Sequence, residues 1–304
     1  MSRPNYTTRS GPSSRAETAS PLRFTQRLWY NSRRAASRRG GGHDMAKGLS
    51  VIIVGVCVLM ASHPAFPFKE NIVGAWLFDE GSGKAAKDYS GNGNDGEIKG
   101  NPQWVDGKFG KALRFDGSTY VEIPFSESLR VLNKTDFTLA AWFYSEKLPP
   151  PEWIEAVFQQ GDKNGTGRTW LFIHRDSGGE IQSFLGGTTT SSGVKAEEEG
   201  RWYHAAVVVK EGGAQDEITV YVNGEPGKPN VVSLEDSEGN YFIGAHKAIK
   251  GFFIGVIDEV VLIAKAMSGD EIKELMNKGV MNVLAVKARD KLPVCWAEIK
   301  SGIR

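Results

Sequence analysis

The chain has 304 residues, a formal net charge of +1 and only two cysteines, enough length for one large or two ordinary domains with a substantial core. Cys57 lies in an apolar run and Cys295 stands far from it, which excludes a disulfide framework and a cysteine-built zinc site. The near-neutral total hides an asymmetry: residues 1–44 hold nine Arg against Glu17 and Asp44, so the remaining 260 residues carry −6, and an acidic body lacks the basic face that nucleic-acid binding needs.

Residues 1–44 are rich in Arg, Ser and Gly and poor in aliphatic side chains. Such a stretch cannot bury enough apolar surface to offset the entropy of ordering it, and it reads as a disordered tail or a mistranslated leader. Met45 then opens a second start, with Lys47 ahead of the apolar run Leu49–Ala61 and small residues and prolines behind it. That run has the length of a signal-peptide core and is short for a membrane span. Residues 45–65 are therefore expected to be a secretory signal cleaved near 62–66, giving a secreted, periplasmic or surface protein. If translation begins at Met1, a type II membrane anchor is the alternative.

From 70 to 279 the pattern is that of one all-β domain, short β-branched and aromatic runs punctuated by Gly, Asn and Asp. "IVGAWLF" (72–78) comes first, followed by the loop "DYSGNGNDGEIK" (88–99). This loop imitates an EF-hand with Asp88, Ser90, Asn92 and Gly93 in the right places, but Lys99 stands where the bidentate Glu belongs. Two readings stay open, a calcium site of another kind or a turn held by its own Asn and Asp side chains. "KALRF" (111–115) and "TYVEI" (119–123) lead to "FTLAAWFY" (137–144), whose Phe137, Leu139, Ala141 and Phe143 share one face at period two. "AVFQQ", "TWLFIH", "IQSFL", "WYHAAVVVK", "EITVYVNGE" and "FFIGVIDEVVLIA" continue the series to 264. Asn223-Gly224 supplies a tight hairpin turn.

One helix closes the domain. Ser268 is its N-cap, Glu271 the capping-box partner and Gly279 the stop, with Ile272, Leu275 and Met276 on one stripe. Residues 280–304 form a tail that includes "LPVCWAEIK" and shows no further domain signal.

A retaining glycosidase needs two carboxyl groups about 5 Å apart on one face, and no E-x-D-x-E spacing appears in this chain. Asp258 and Glu259 are adjacent, so a regular strand would send them to opposite faces. "EEE" at 197–199 sits in a polar stretch and reads as a solvated loop. His174, His204 and His246 are isolated, and metalloprotease, phosphate-loop and nucleophile-elbow signatures are missing. The sequence thus reads as a non-enzyme. For ligand binding the candidates are Trp153, on the proline-stiffened "KLPPPEW" loop, and Trp170, which opens a strand; the alternative for both is packing against the core.

In order, "GAWLFDEGSG", "DYSGNGNDG", "GKFGKALRFDG", "FTLAAWFY", "GRWYHAAVVV", "ITVYVNGE" and "GVIDEVVLIAKAMSGDEI" resemble the bacterial laminin-G-like, concanavalin A-like lectin/glucanase jelly-roll family over roughly 71–277. The resemblance implies a two-sheet antiparallel jelly-roll sandwich with one short C-terminal helix, and a secreted or surface non-catalytic module that binds carbohydrate. A protein-interaction module of the cell surface, or a glycoside hydrolase of the same fold, are the alternatives. It also implies a structural Ca2+ held by Asp88, Asn92, Asn94 and Asp258, because the family's first and last strands are neighbours. Two departures stand out: Val261-Leu262-Ile263 replaces a polar Arg-x-Tyr, and the paired cysteines of some members are missing.

Overall fold

The computed structural model describes residues 69–132, 136–161 and 168–284. The expected leader, the signal or anchor segment at 45–65 and most of the tail lie outside these residues. Among the described residues no helix is long and apolar enough to cross a membrane.

The strands begin with β1 (Ile72–Trp76), β2 (Ala85–Ala86), β3 (Gly96–Lys99), β4 (Gln103–Asp106), β5 (Lys111–Asp116) and β6 (Tyr120–Ile123). Next come β7 (Phe137–Ser145), β8 (Ile154–Gln160), β9 (Arg168–His174), β10 (Glu180–Leu185), β11 (Thr188–Lys195), β12 (Tyr203–Lys210) and β13 (Asp216–Val222). The series ends with β14 (Glu225–Pro226), β15 (Asn230–Val232), β16 (Tyr241–Ile243), β17 (Ala245–His246), β18 (Gly251–Phe252) and β19 (Ile254–Ile263), before helix α1 (Gly269–Lys278). The first sheet runs β14-β13-β12-β7-β19-β5-β4, with β1 on β19 and β15 on β13. The second runs β11-β10-β9-β8-β16-β6-β3-β2, and β17-β18 form a separate ribbon. The pairs along each sheet are antiparallel, β7–β12, β7–β19 and β8–β9 among them. The fold is the expected jelly-roll sandwich.

Period-two patterning builds the core. Phe137, Leu139, Ala141 and Phe143 of β7 all face inward, meeting Leu113, Phe115, Ile257, Val260 and Leu262 of their own sheet and Val121, Phe158, Leu171 and Ile173 of the other. Fully burying each large side chain of this kind contributes roughly 1.5–3 kcal/mol. The Asn223-Gly224 turn takes positive φ at both residues, 52° and 83°, matching the twist of the strands it joins.

The outer face of the first sheet is divided. Where α1 lies, the outward residues are small or aliphatic, Ala140, Ala206, Val208, Val261 and Ile263, and they receive Ile272 and Leu275. Ser268 and Glu271 form the capping box, and Gly279 ends the helix at φ 74°. Further along the same strands the outward residues become Trp142, Tyr144 and His204, in register across β7 and β12.

Strand β19 departs from regular pleating. Its register shifts between Asp258 and Val261, and Glu259 takes φ 52°. Ile257 and Val260 both face the core, so two residues rather than one lie between inward positions. This bulge overturns the expectation that Asp258 and Glu259 occupy opposite faces: the extra residue lets both leave the core side.

Candidate ligand-binding site

The 88–96 loop is held by hydrogen bonds within itself, to β1 and to Ser126 and Ser128. The Asp88 carboxylate accepts from the backbone amides of Ala75 (3.0 Å), Ser90 (2.9 Å) and Asn94 (2.9 Å) and from the Ser90 hydroxyl (2.8 Å). Asn92 Nδ2 donates to the Val73 carbonyl at 3.1 Å, and Asn94 Nδ2 to the same oxygen at 2.9 Å. Asn94 Oδ1 accepts the hydroxyls of Ser126 (2.5 Å) and Ser128 (3.0 Å), while its carbonyl accepts Trp76 Nε1 (2.9 Å). The oxygens of Asp88 and Asn94 nominated for a cation are thus surrounded by hydrogen-bond donors.

Asp258 is elsewhere. Strand β1 does pair with β19, as the resemblance implies, but Val73 lies beside Leu262 and Ile263. Leu262 pairs with Leu139 and Asp258 with Trp142, so three residues of β7, at ~3.3 Å each, put Asp258 roughly 10 Å along. There its Oδ2 accepts the amides of Lys108 (2.8 Å) and Phe109 (3.0 Å), and a side chain at Gly107 would come within 2.6 Å of that oxygen. The expected calcium set of Asp88, Asn92, Asn94 and Asp258 is therefore not brought together, and the residues present do not fit the ion. Among the described residues no group of three or more His, Cys, Asp or Glu is placed to hold a metal.

The two tryptophans separate as well. Trp170 is fully buried, packed on Phe137 (4.9 Å), Phe158 (5.6 Å) and Tyr241 (5.8 Å). It is a core residue and shows no face to a ligand, a correction to the expected pair. Trp153 is 52% exposed and leans edge-on against His174 at 5.4 Å.

Trp153 stands at one end of the second sheet's outer face. Strand pairing places Ile154, His174, Glu180 and Lys195 in one row, and Ala156, Phe172, Gln182 and Ser191 in the next. Ile154, Ala156 and Phe172 form a small apolar cluster apart from the main core. A chain of polar contacts crosses these rows. His174 Nδ1 meets the Ser177 hydroxyl (3.0 Å), to which Gln182 Nε2 donates (3.3 Å). Gln182 also donates to Glu180 (2.6 Å), whose other oxygen accepts Gly193 N (3.1 Å) and the Ser191 hydroxyl. Phe184, 37% exposed, closes the far side.

Half of this face is roofed. The β17-β18 ribbon lies on β8, where the Lys247 amide donates to Gln159 Oε1 (3.0 Å) and Gly251 leaves no room for a side chain beside Ile154. Phe252 and Phe242 flank Tyr120 at 6.1 and 6.3 Å, and Lys247 Nζ bonds the Tyr120 hydroxyl at 2.7 Å. On strands β9, β10 and β11 His174 and Glu180 are half-buried and Phe184 and Ser191 exposed, while Phe172 and Gln182 are buried between them. Apart from inward-facing Trp170, the residues of these strands were not named as ligand-binding candidates from sequence, because a polar outward row looks the same whether it faces solvent or a ligand.

Carboxylate geometry bears on catalysis. Glu180 of β10 and Glu122 of β6 share the outer face but lie four strands apart, roughly 19 Å at ~4.8 Å per strand, too far for either glycosidase mechanism. Glu97 and Glu122 are direct cross-strand partners. Glu97 is paired with Lys99 (2.6 Å) and Glu122 accepts Asn240 Nδ2 (3.0 Å). Asp258 and Glu259, though on one side of β19, are buried and spent on backbone amides, Glu259 on that of Val280. Burial pushes Asp258 up to about 8 and Glu259 up to about 7.

The chain belongs to the concanavalin A-like lectin/glucanase superfamily, whose laminin-G-type model matches residues 115–273. No curated protein matches it. Solved structures share the fold. Domain 4 of AbnA, an extracellular arabinanase from Geobacillus stearothermophilus crystallised with arabinotriose, is similar over 67% of this chain and 98% of its own, at 20% identity and a TM-score of 0.51. The binding domain of Paraclostridial Mosquitocidal Protein 1 is similar at 17% identity and 0.54, over 69% of this chain and 52% of its own. Trypanosoma rangeli sialidase in complex with the inhibitor DANA aligns at 17% identity and 0.50, over 66% of this chain and 32% of its own. The neighbours thus include enzymes and binding domains, and for the latter two the match spans about half and about a third of their own length.

Proposed function

We propose that the protein is a non-catalytic carbohydrate-binding module that takes its ligand on the open half of the second sheet. The observation that carries this reading is the placement of half-exposed Trp153 beside the His174–Ser177–Gln182–Glu180–Ser191 network. An aromatic face stacks against the apolar side of a sugar ring, and adjacent side chains that both donate and accept match its hydroxyls. The β17-β18 ribbon, seated on β8 at Ile154 and Gln159, bounds this half on one side. Support from the family is general: AbnA domain 4 was crystallised with arabinotriose, so arabino-oligosaccharides join β-glucans in the test panel.

On a glycan array the full chain should retain one class of oligosaccharide, and Trp153→Ala should weaken it at least tenfold, about 1.4 kcal/mol. Capture of a cell-surface protein partner with no glycan bound would support the interaction-module reading instead. Reducing-sugar release abolished by Glu122→Gln or Glu97→Gln would make it a hydrolase.

A further inference from the structure

The aromatic half of the first sheet's outer face has no role in the site above. Asp258, Trp142 and His204 stand in register across β19, β7 and β12. Each carries a buried polar atom without a hydrogen-bond partner, Oδ1, Nε1 and Nδ1 respectively, three of the ten such atoms among the described residues. Buried polar groups are nearly always paired, so three orphans in one row single out this place. Trp142 and His204 are 7% and 2% exposed, more than nine-tenths buried. Trp202 lies 6.4 Å from Trp142 and 4.8 Å from Tyr144, edge-on to both, and Trp142 meets His204 at 5.2 Å. Trp202 and Tyr144 are half-buried.

Besides Trp202 and His204, one flexible side chain lies on the Trp142 ring. Exposed Lys108 holds its ammonium 4.4 Å from the centre of the Trp142 ring. Its neighbours are neutralised: Arg114 grips Glu146 (2.5 Å), Lys111 pairs with Asp106 (2.6 Å) and Arg201 with Glu198 (2.8 Å). Lys108 has no carboxylate partner among the described residues. Its backbone, by contrast, is fixed by Asp258, so the side chain can swing while the turn stays in place.

We propose that this patch is a second binding site, for an anionic saccharide. The sugar ring lies on Trp202 and Tyr144, Lys108 moves off Trp142 to take the carboxylate or sulfate, and the ring's hydroxyls reach Trp142 Nε1 and His204 Nδ1. Burial keeps His204 neutral, at about 3, so Nδ1 presents a lone pair or a proton according to its tautomer. The proposal is independent of the Trp153 face.

The test titrates the full chain with galacturonic-acid and sulfated oligosaccharides and with their neutral counterparts. Anionic ligands should bind at least tenfold more tightly than neutral ones, and added salt should weaken them. Trp202→Ala should cost tenfold or more. Lys108→Ala should erase the preference for the anion, and Trp142→Phe, which keeps the packing, should cost several-fold at unchanged melting temperature. Trp153→Ala should leave this binding intact, so the two sites fail separately. No binding of any anionic saccharide, unchanged binding in Trp202→Ala and Lys108→Ala, or loss in Trp153→Ala alone would each overturn the proposal.

Discussion

Asp88 accepts three hydrogen bonds from its own loop and one from Ala75 of β1, and removing the carboxylate strands four donors at once. With hydrogen bonds to a charged group worth about 1.5–3 kcal/mol each, and part of this set open to water, Asp88→Ala should destabilise the domain by about 3 kcal/mol. Because the oxygens face donors, the melting temperature should not respond to EGTA or to added calcium. An EGTA-induced drop in wild type that Asp88→Ala abolishes would restore the calcium reading. Asp88, Asn92 and Asn94 were legible as one cluster since they are close in sequence. The place of Asp258 was not, because it depends on a strand register and a bulge that composition does not encode.

A second residue-scale prediction concerns Glu155, which is fully buried and is pushed up to about 8 by burial, against the weaker opposing pull of Ser145 and the Ile254 backbone. Asp258 and Glu259 are raised for the same reason. A carboxyl whose pKa is raised by folding binds its proton more tightly in the folded state. Its stabilising contribution is present below the unfolded value near 4 and is lost as pH rises through 7 to 8. The domain should therefore melt higher at pH 5 than at pH 8. Glu155→Gln should gain roughly 2–4 kcal/mol at pH 8 and little at pH 4, measured by thermal or urea unfolding.

At the scale of elements, α1 and β7 could be read directly, the one from its capping box and the other from strict alternation. Ser268→Ala removes the acceptor for the Glu271 amide and should cost about 1 kcal/mol, seen as a lower urea midpoint at unchanged slope. Strand β11, "TTTSSGVK", was missed: an edge strand with polar outward residues and Gly193 lacks the apolar alternation that marks a strand. The β19 bulge was also invisible, since "VIDEVV" satisfies regular alternation as well as the bulged pairing. Its consequence lies in the 107–110 turn, which Asp258 holds. A side chain at Gly107 would also meet the Lys111 carbonyl at 2.7 Å, so Gly107→Ala should destabilise by about 2 kcal/mol through displaced backbone.

For the molecule as a whole, segment order and spacing revealed the sandwich, but the function depends on which outer faces remain uncovered, and cover is a tertiary property. Helix α1 closes one half of the first sheet and the β17-β18 ribbon one half of the second. Trp153 could be picked out because prolines hold its loop at the surface, while Trp170, equally conspicuous in sequence, points inward. The central claim, that carbohydrate binds on β9, β10 and β11 beside Trp153, is tested most directly by hydrogen–deuterium exchange of the full chain with and without the strongest oligosaccharide from the array. Added protection should fall on residues 152–156, 172–184 and 188–193. Protection confined to other strands, or no change at a saturating concentration of bound sugar, would contradict it.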